Sequence, residues 1–549
     1  MSPRPRQELL AGLAIVLAAF LVYADSLGNG FVADDYRVIV HNPALRGTPL
    51  SLFSDFDTTS STQLLPFYRP LTYLTFLIED RLNELTPFPV RLANVALHAL
   101  SSLLVYYLAR SLLEDRLARL LAGLLFAVHP LHAEGVDFNA GGRNTMLSCC
   151  FVLSAFLLHR SSVIKGGIVA AYGGAVLYLA GVFSKETGLM VLPFVVGQEI
   201  GPFRTSGTRF GPRAFARVVP YAVGTVGYLV MRWMTLSRLG IQATLLPGIT
   251  GEELRRSEII PGLRERLLND LHIIPKYFQT VVWPLHLSPR YDVHAARRLV
   301  TPSIVAAWLC ILLIAGWLLW RGRSRVTAFG VAWLVAFWLP VSGIVYISRI
   351  TMADRFLYVP AIGLWIVVAD QAARFLPSGG SRRRYALTAV AVALCLLAAL
   401  TMRRNLDWKN DVTLFGRLVS QYPENPHGHY SLGNAYLDDR GEYDLELAER
   451  EYLTALALDP TLQSAYAPLG YIRMVKQDYA GALRYYSRAL QYDPMSRSAR
   501  VNRGLAYEKL GRVKEALADY EFYLTLPGYN DIRGSREFAE ERIRKLSRP

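Results

Sequence analysis

Apolar residues in the first 400 or so positions gather into runs close to membrane-spanning length, while from about Asn405 onward they recur at helical spacing among polar residues. Runs at about 8–25, 90–110, 118–137, 142–159, 167–184, 187–200, 217–236, 302–320, 327–347, 356–373 and 385–402 predict about eleven membrane-crossing helices. The opening MSPRPRQ followed by LLAGLAIVLAAFLVYA reads as the first span rather than a signal peptide, because no small-residue cleavage site follows it and further spans do. The segment Leu268–Leu287 is apolar but holds Pro275, Lys276 and Pro284, and is expected to be re-entrant or interfacial. The fold expected is all-α: a polytopic membrane domain over residues 1–404, then a helical repeat domain over 405–549.

Arginine placement predicts orientation. Arg116/Arg119, Arg160/Lys165, Arg204/Arg209/Arg213/Arg217, Arg321/Arg323/Arg325 and Arg382/Arg383/Arg384 fall on one side if the N-terminus is cytoplasmic. Reading Leu268–Leu287 as a full crossing would move Arg321 to Arg325 outside. An odd number of crossings then places the long loop Ser26–Phe88 and the C-terminal tail together on the non-cytoplasmic side. Composition agrees with a lipid environment, since 52% of the 549 residues are hydrophobic and 19% charged. The net charge of +15 sits in short loops between apolar runs, which speaks for membrane orientation and against a nucleic-acid partner. Cys149, Cys150, Cys310 and Cys395 lie inside apolar runs at no zinc-site spacing and read as packing residues.

In the tail, Asn425-Pro426, Asp459-Pro460 and Asp493-Pro494 recur every 34 residues, as do Ala448, Ala482 and Ala516. That is the tetratricopeptide period, and it predicts about three repeats over 425–526 whose stacking forms a groove for a protein or peptide. The first repeat carries a short indel, and the second has Arg473 where the pattern wants a tyrosine. The array offers no catalytic constellation, so any chemistry must lie in the membrane part.

Candidate chemistry clusters at the outer ends of the spans. Asp34 and Asp35, in NGFVADDYRVIVHNP, form an adjacent acid pair suited to a general base. His129, His132 and Glu134, in HPLHAEG, carry a His-x-x-His spacing expected to set both imidazoles on one helical face; they read as site-lining residues rather than metal ligands. Arg143 in GGRN, Lys185 and Glu186 in FSKETG, Asp354 and Arg355 in MADRFLYVP, and Arg69 are placed alike. Together they describe either an external pocket rimmed by Arg69, Arg143, Lys185 and Arg355 and fit for a lipid phosphate, or internal ion pairs between spans.

The blocks FVADDYRVIVHNP (31–43), FYRPLTYLTF (67–76), FAVHPLHAEGV with GGRN (126–144), SKETGLMVLP (184–193) and DRFLYVPAIG (354–363), followed by the repeats, resemble the transmembrane and tetratricopeptide-repeat O-mannosyltransferase family of the GT-C glycosyltransferase class, in a bacterial-type form. The resemblance implies a GT-C fold, a polyprenyl-phosphate-linked sugar as donor, and inverting transfer to Ser/Thr hydroxyls of protein acceptors outside the cytoplasm of a bacterial inner membrane. It marks Asp34 or Asp35 as the base; beside them, Arg355 and Lys185 are the leading candidates to hold the phosphate, and His129, His132 and Glu134 candidates to orient donor or acceptor. A divalent metal is compatible with it, because GT-C enzymes divide on metal use. The chain departs from the family in its short array and in YDVH (291–294), which fits the corresponding loop only loosely. A non-enzymatic repeat-bearing membrane scaffold or transporter is the competing reading.

Overall fold

The computed structural model describes residues 5–54, 67–201, 203, 211–238, 263–291, 301–321, 324–342, 344, 352–438, 443–526 and 535–548. Arg204, Arg209, Arg323 and most of YDVH lie outside the described residues. Those residues are helices and turns, with no strand among them. They form two compact units, one reaching Lys409 and the other beginning at Asn410.

In the first unit the helices of ten residues or more are α1 (Pro5–Val22), α2 (Pro70–Asn83), α3 (Pro87–Leu112), α4 (Arg116–Val128), α5 (Asn139–Lys165), α6 (Val169–Ser184), α7 (Val191–Ile200), α8 (Pro212–Arg238), α9 (Leu263–Val282), α10 (Pro302–Arg321), α11 (Arg325–Trp338), α12 (Ala361–Phe375) and α13 (Gly380–Asn405). Each apolar run of the sequence carries one of these helices, but the helices differ in length. Among the described residues five stretches are both long and apolar enough to cross a bilayer: Arg6–Gly28, Pro87–Leu112, Asn139–Lys165, Pro212–Ser237 and Gly380–Trp408. The motif blocks supply the reason, since FSKETG and HPLHAEG place polar, helix-ending residues where continuous spans would otherwise run. Thus α4 stops at Val128, and α7 is 10 residues long. The segment expected to be re-entrant is covered in part by α9, which contains Pro275.

Local chemistry sets the helix ends. The Asp115 carboxylate accepts from the Ala118 N–H at 2.9 Å and starts α4; Gly166, in the left-handed region at φ +77°, ends α5. Helices α11 and α12 cross backbone to backbone at Gly330 and Gly363, where a side chain on either would overlap the partner's carbonyl. Outward faces stay apolar: Leu312, Leu313 and Trp320 on α10 and Leu396 on α13 are exposed, as lipid-facing residues must be. The chain is a membrane protein.

The second unit holds α14 (Asp411–Gln421), α15 (Pro426–Leu437), α16 (Leu445–Leu458), α17 (Tyr466–Val475), α18 (Tyr479–Tyr492), α19 (Arg497–Lys509), α20 (Val513–Thr525) and α21 (Ser535–Leu546). The recurring Asx-Pro pairs work as turns: Asn425 accepts from the Gly428 N–H at 3.0 Å, Asp459 from Thr461 at 2.9 Å and Asp493 from Met495 at 3.1 Å. Within each repeat a tyrosine ring of the second helix lies flat on a glycine of the first. A Cβ on Gly433, Gly470 or Gly504 would come within 2.8, 2.7 or 2.9 Å of Tyr452, Tyr486 or Tyr520. The tyrosines keep the 34-residue period, while Gly433 and Gly470 stand 37 apart. The extra residues therefore fall between the two helices of the first repeat.

Candidate active site

The two adjacent aspartates face opposite ways. Ala33 holds a left-handed conformation (φ +50°), strained for a residue with a side chain, and turns the chain just ahead of them. The Asp35 side chain is fully buried at the N-terminus of α5, accepting from the Ala140 N–H at 2.7 Å, from Asn139 Nδ2 at 2.8 Å and from the Val32 N–H at 3.2 Å. Burial pushes its carboxyl up to about 6 even against these hydrogen bonds and the charge of Arg91. The Asp34 side chain is instead 58% exposed, 3.2 Å from Arg37.

Three of the four cations expected to rim a pocket are paired with carboxylates. Arg69, at the start of α2, grips Glu186 in a two-pronged pair with donor distances of 2.9 and 2.5 Å. Burial alone would raise the Glu186 carboxyl, but the Arg69 charge and hydrogen bonds prevail and bring it to about 2. Arg143 of α5 pairs with Glu79 at 2.7 Å and donates to Asn94 and to the Val90 carbonyl. Arg355 pairs with Glu134 through its guanidinium and its backbone N–H. To that extent the internal-pairing reading describes the cations.

Lys185 is the exception. It is buried in the break after α6, donates to the Thr145 hydroxyl at 2.7 Å, and has no carboxylate within ion-pair distance among the described residues. Arg69 with Glu186 and Arg355 with Glu134 act on it electrostatically from around it. Burial first, and the Arg69 charge second, lower its ammonium to about 7. Next to Glu134, the Asp354 carboxyl is raised by burial and then by the Glu134 charge; it accepts from the Tyr291 hydroxyl at 2.6 Å and has Arg404 at 4.0 Å.

His129 and His132 do not share one helical face, which corrects the sequence expectation. Pro130 opens a 3-10 turn, Pro130–His132, between them. His129 accepts from the Leu131 N–H at 3.2 Å through Nδ1, leaving Nε2–H to donate to the Val281 carbonyl at 3.1 Å. His132 accepts from the Trp365 indole at 3.2 Å and packs on Phe126. Burial lowers both rings, His129 to about 4, so they are neutral at pH 7. They brace the segment that carries Glu134. Gly135 and Gly142 complete the brace, because any side chain on Gly142 would overlap the Gly135 carbonyl. Among the described residues no group of three or more His, Cys, Asp or Glu could hold a metal ion.

Sequence reasoning missed Glu79, Arg91, Asp137, Thr145 and Arg404. Arg91 left the one usable signal, a buried arginine near the start of the apolar run of α3, where an ionisable group is costly unless it pairs or serves.

Comparison with known proteins follows this geometry. Residues 72–232 match the family model for dolichyl-phosphate-mannose-protein mannosyltransferase, and residues 469–544 a tetratricopeptide repeat model. A Caenorhabditis elegans protein O-mannosyl-transferase is 27% identical over 83% of this chain and 64% of its own length. Mouse protein O-mannosyl-transferase TMTC3 is 27% identical over 92% of this chain and 54% of its own. For human protein O-mannosyl-transferase TMTC1 the figures are 27%, 86% and 57%. The chain thus spans between about half and two thirds of these relatives' length. The resemblance to the family is borne out, its bacterial-type form aside: in both its membrane unit and its repeats this chain is similar to the transmembrane and tetratricopeptide-repeat protein O-mannosyltransferases.

Proposed function

We propose that this chain is a membrane glycosyltransferase that moves a mannose-like sugar from a polyprenyl-phosphate donor to Ser/Thr hydroxyls of protein acceptors. The observation that carries the proposal is a division of labour: an exposed carboxylate on a loop whose neighbouring carboxylate is buried and bonded, together with a buried cation, Lys185, that has no carboxylate within ion-pair distance among the described residues. Asp34 is the base and Asp35 the anchor of its loop. As the acceptor oxygen attacks the anomeric carbon, Asp34 takes its proton; the bond from that carbon to the phosphate oxygen breaks, and the polyprenyl phosphate departs with the electron pair. Transfer inverts the anomeric centre, with no covalent sugar on the protein. Lys185 is the group that stabilises the leaving phosphate. Arg69, Arg143, Glu186 and the Arg355–Glu134 pair hold the walls, with Asp354 and the two histidines behind them.

Residues 1–404 act as the catalytic body and 405–549 as the arm that presents the acceptor. The setting is a bacterial inner membrane with the N-terminus cytoplasmic and both site and arm on the periplasmic side. The pairing of Arg69, Arg143 and Arg355 favours the second reading, a scaffold or transporter whose charges only join helices. One experiment separates them: express Asp34→Asn and Asp35→Asn and compare glycosylation of envelope proteins by mass spectrometry. Loss in Asp34→Asn is expected, whereas wild-type glycosylation in both variants would remove the catalytic assignment. A reporter fused after Arg404 should be active only outside the cytoplasm.

A further inference from the structure

The segment leaving α13, Arg404 to Lys409, is bonded into the first loop of the same unit. The Gly30 N–H donates to the Lys409 carbonyl at 2.9 Å, and Asn29 Nδ2 donates to the Asn405 carbonyl at 2.9 Å. Asn405 Nδ2 returns to the Val22 carbonyl at 2.9 Å and to Asp25 at 2.7 Å. Arg91, on α3 and 1% exposed, closes the arrangement. Its Nε donates to the Asn29 carbonyl at 2.9 Å, Nη2 to the carbonyls of Gly30 at 2.5 Å and Trp408 at 3.4 Å, and Nη1 to the Asp137 carbonyl at 3.3 Å. One planar guanidinium thus satisfies carbonyls from three separate stretches of chain, a task for which a lysine has the wrong geometry.

Aromatic packing extends the same path. Trp408 is buried and stacks on Phe138, with centroids 5.8 Å apart and planes 23° off parallel, and the Arg355 guanidinium lies 5.3 Å from the Phe138 ring. Phe138 directly precedes Asn139 and Ala140, the two residues whose amide groups hold Asp35. Gly30, bonded to Lys409, lies four positions ahead of Asp34. The loop bearing the acid pair is therefore gripped from both sides by contacts that lead to the junction where the repeats begin.

No role described above uses Arg91 or Trp408. We propose that they are positioning residues, tying the Asp34–Asp35 loop to the Arg404–Lys409 junction so that turnover depends on the junction being seated. The proposal rests on Asp34 as the base. Unseating the junction displaces Asp34 without touching donor or acceptor contacts, and a displacement of about 1 Å costs on the order of 100-fold in rate. The loss should therefore fall on kcat and spare KM.

The test uses the full chain in detergent with Arg91→Lys, Trp408→Ala and Trp408→Phe. Hydrogen exchange is read at the amides of residues 29–35 and at Ala140, and transfer is assayed from a mannosyl-phosphoryl polyprenol to a Ser/Thr-rich peptide. Arg91→Lys and Trp408→Ala are expected to speed exchange of that loop about tenfold or more and to lower kcat roughly 10- to 100-fold with both KM values within about twofold. Trp408→Phe keeps a ring on Phe138 and should restore both. Unchanged exchange at 29–35 in Trp408→Ala overturns the proposal, as does acceleration that is equal at the Gly330–Gly363 crossing, which none of the contacts above joins to the junction and which would mark a general folding defect. A wild-type chain that transfers no sugar would instead overturn the enzymatic reading, while the exchange data still decide the tie between junction and loop.

Discussion

The site end of the membrane unit and the repeat unit differ in what they bury most deeply, although the repeats too hold buried carboxylates at Glu449, Glu451 and Asp519. In the first, Asp35, Arg91, Glu134, Asp137, Arg143 and Asp354 are all at 1% exposure or less. In the second, the corresponding depth is filled by Ala448, Ala482 and Ala516 and by Tyr452, Tyr486 and Tyr520, while pairs such as Arg512–Glu515 stay at the surface. Taking ions out of water is costly, and their mutual attraction repays it only with good geometry. A region that pays this repeatedly is not built for stability alone. Small residues under aromatic rings carry no such penalty and hold two helices together. Substitutions should accordingly disturb chemistry and pH response in the first region and local cohesion in the second.

The strongest test of that contrast is Asp34→Asn, which removes a base without removing a buried contact. Turnover should fall about 10²- to 10⁴-fold with thermal unfolding in detergent unchanged; an equal fall in stability would place Asp34 among the structural ions. Next comes Glu186→Gln, which strands the Arg69 charge and should destabilise by about 3–5 kcal/mol. The sign of its pH dependence follows from a carboxyl held at about 2. The stabilisation is fully present above the ordinary glutamate range and is lost as pH falls toward 2, so unfolding temperatures measured from pH 6 to 3 should drop in the wild type and stay flatter in the variant.

Lys185 offers a finer probe. With its ammonium near 7, the cationic fraction shrinks above neutrality, and the donor KM should rise about tenfold between pH 6 and pH 8. Lys185→Arg should abolish that slope, and Lys185→Met should raise the donor KM at every pH; a slope that persists in the arginine variant would assign it to another group. The smallest effect is expected in the arm. Gly470→Ala pushes a methyl to 2.7 Å from the Tyr486 ring, which should cost about 1–3 kcal/mol. Faster exchange should stay confined to α17 and α18, because repeats contact only their neighbours.

What the sequence made legible follows from the range of each signal. Hydropathy located a helix under each apolar run, and the 34-residue period located the repeats, since both patterns are local. Partner choice is not local. Arg143 finds Glu79 and Arg355 finds Glu134 across 64 and 221 positions, and no spacing within a motif announces either. The divergence of Asp34 from Asp35 was equally hidden, because it rests on the bonds Asp35 makes to Asn139 and Ala140, more than 100 positions away. Helix length was less legible, because polar motif residues cut some apolar runs short, as at α7.

Each tyrosine-on-glycine contact lies wholly within one repeat, so every repeat carries its own latch. Duplicating or deleting a 34-residue unit breaks no latch in those that remain, and the extra residues between the helices of the first repeat leave its tyrosine seated on Gly433. In evolutionary terms the repeat unit is a register of interchangeable cassettes, free to lengthen or shorten. The ion-paired end of the membrane unit has less such freedom, since Arg69, Arg143 and Arg355 each answer to a carboxylate far away in the chain.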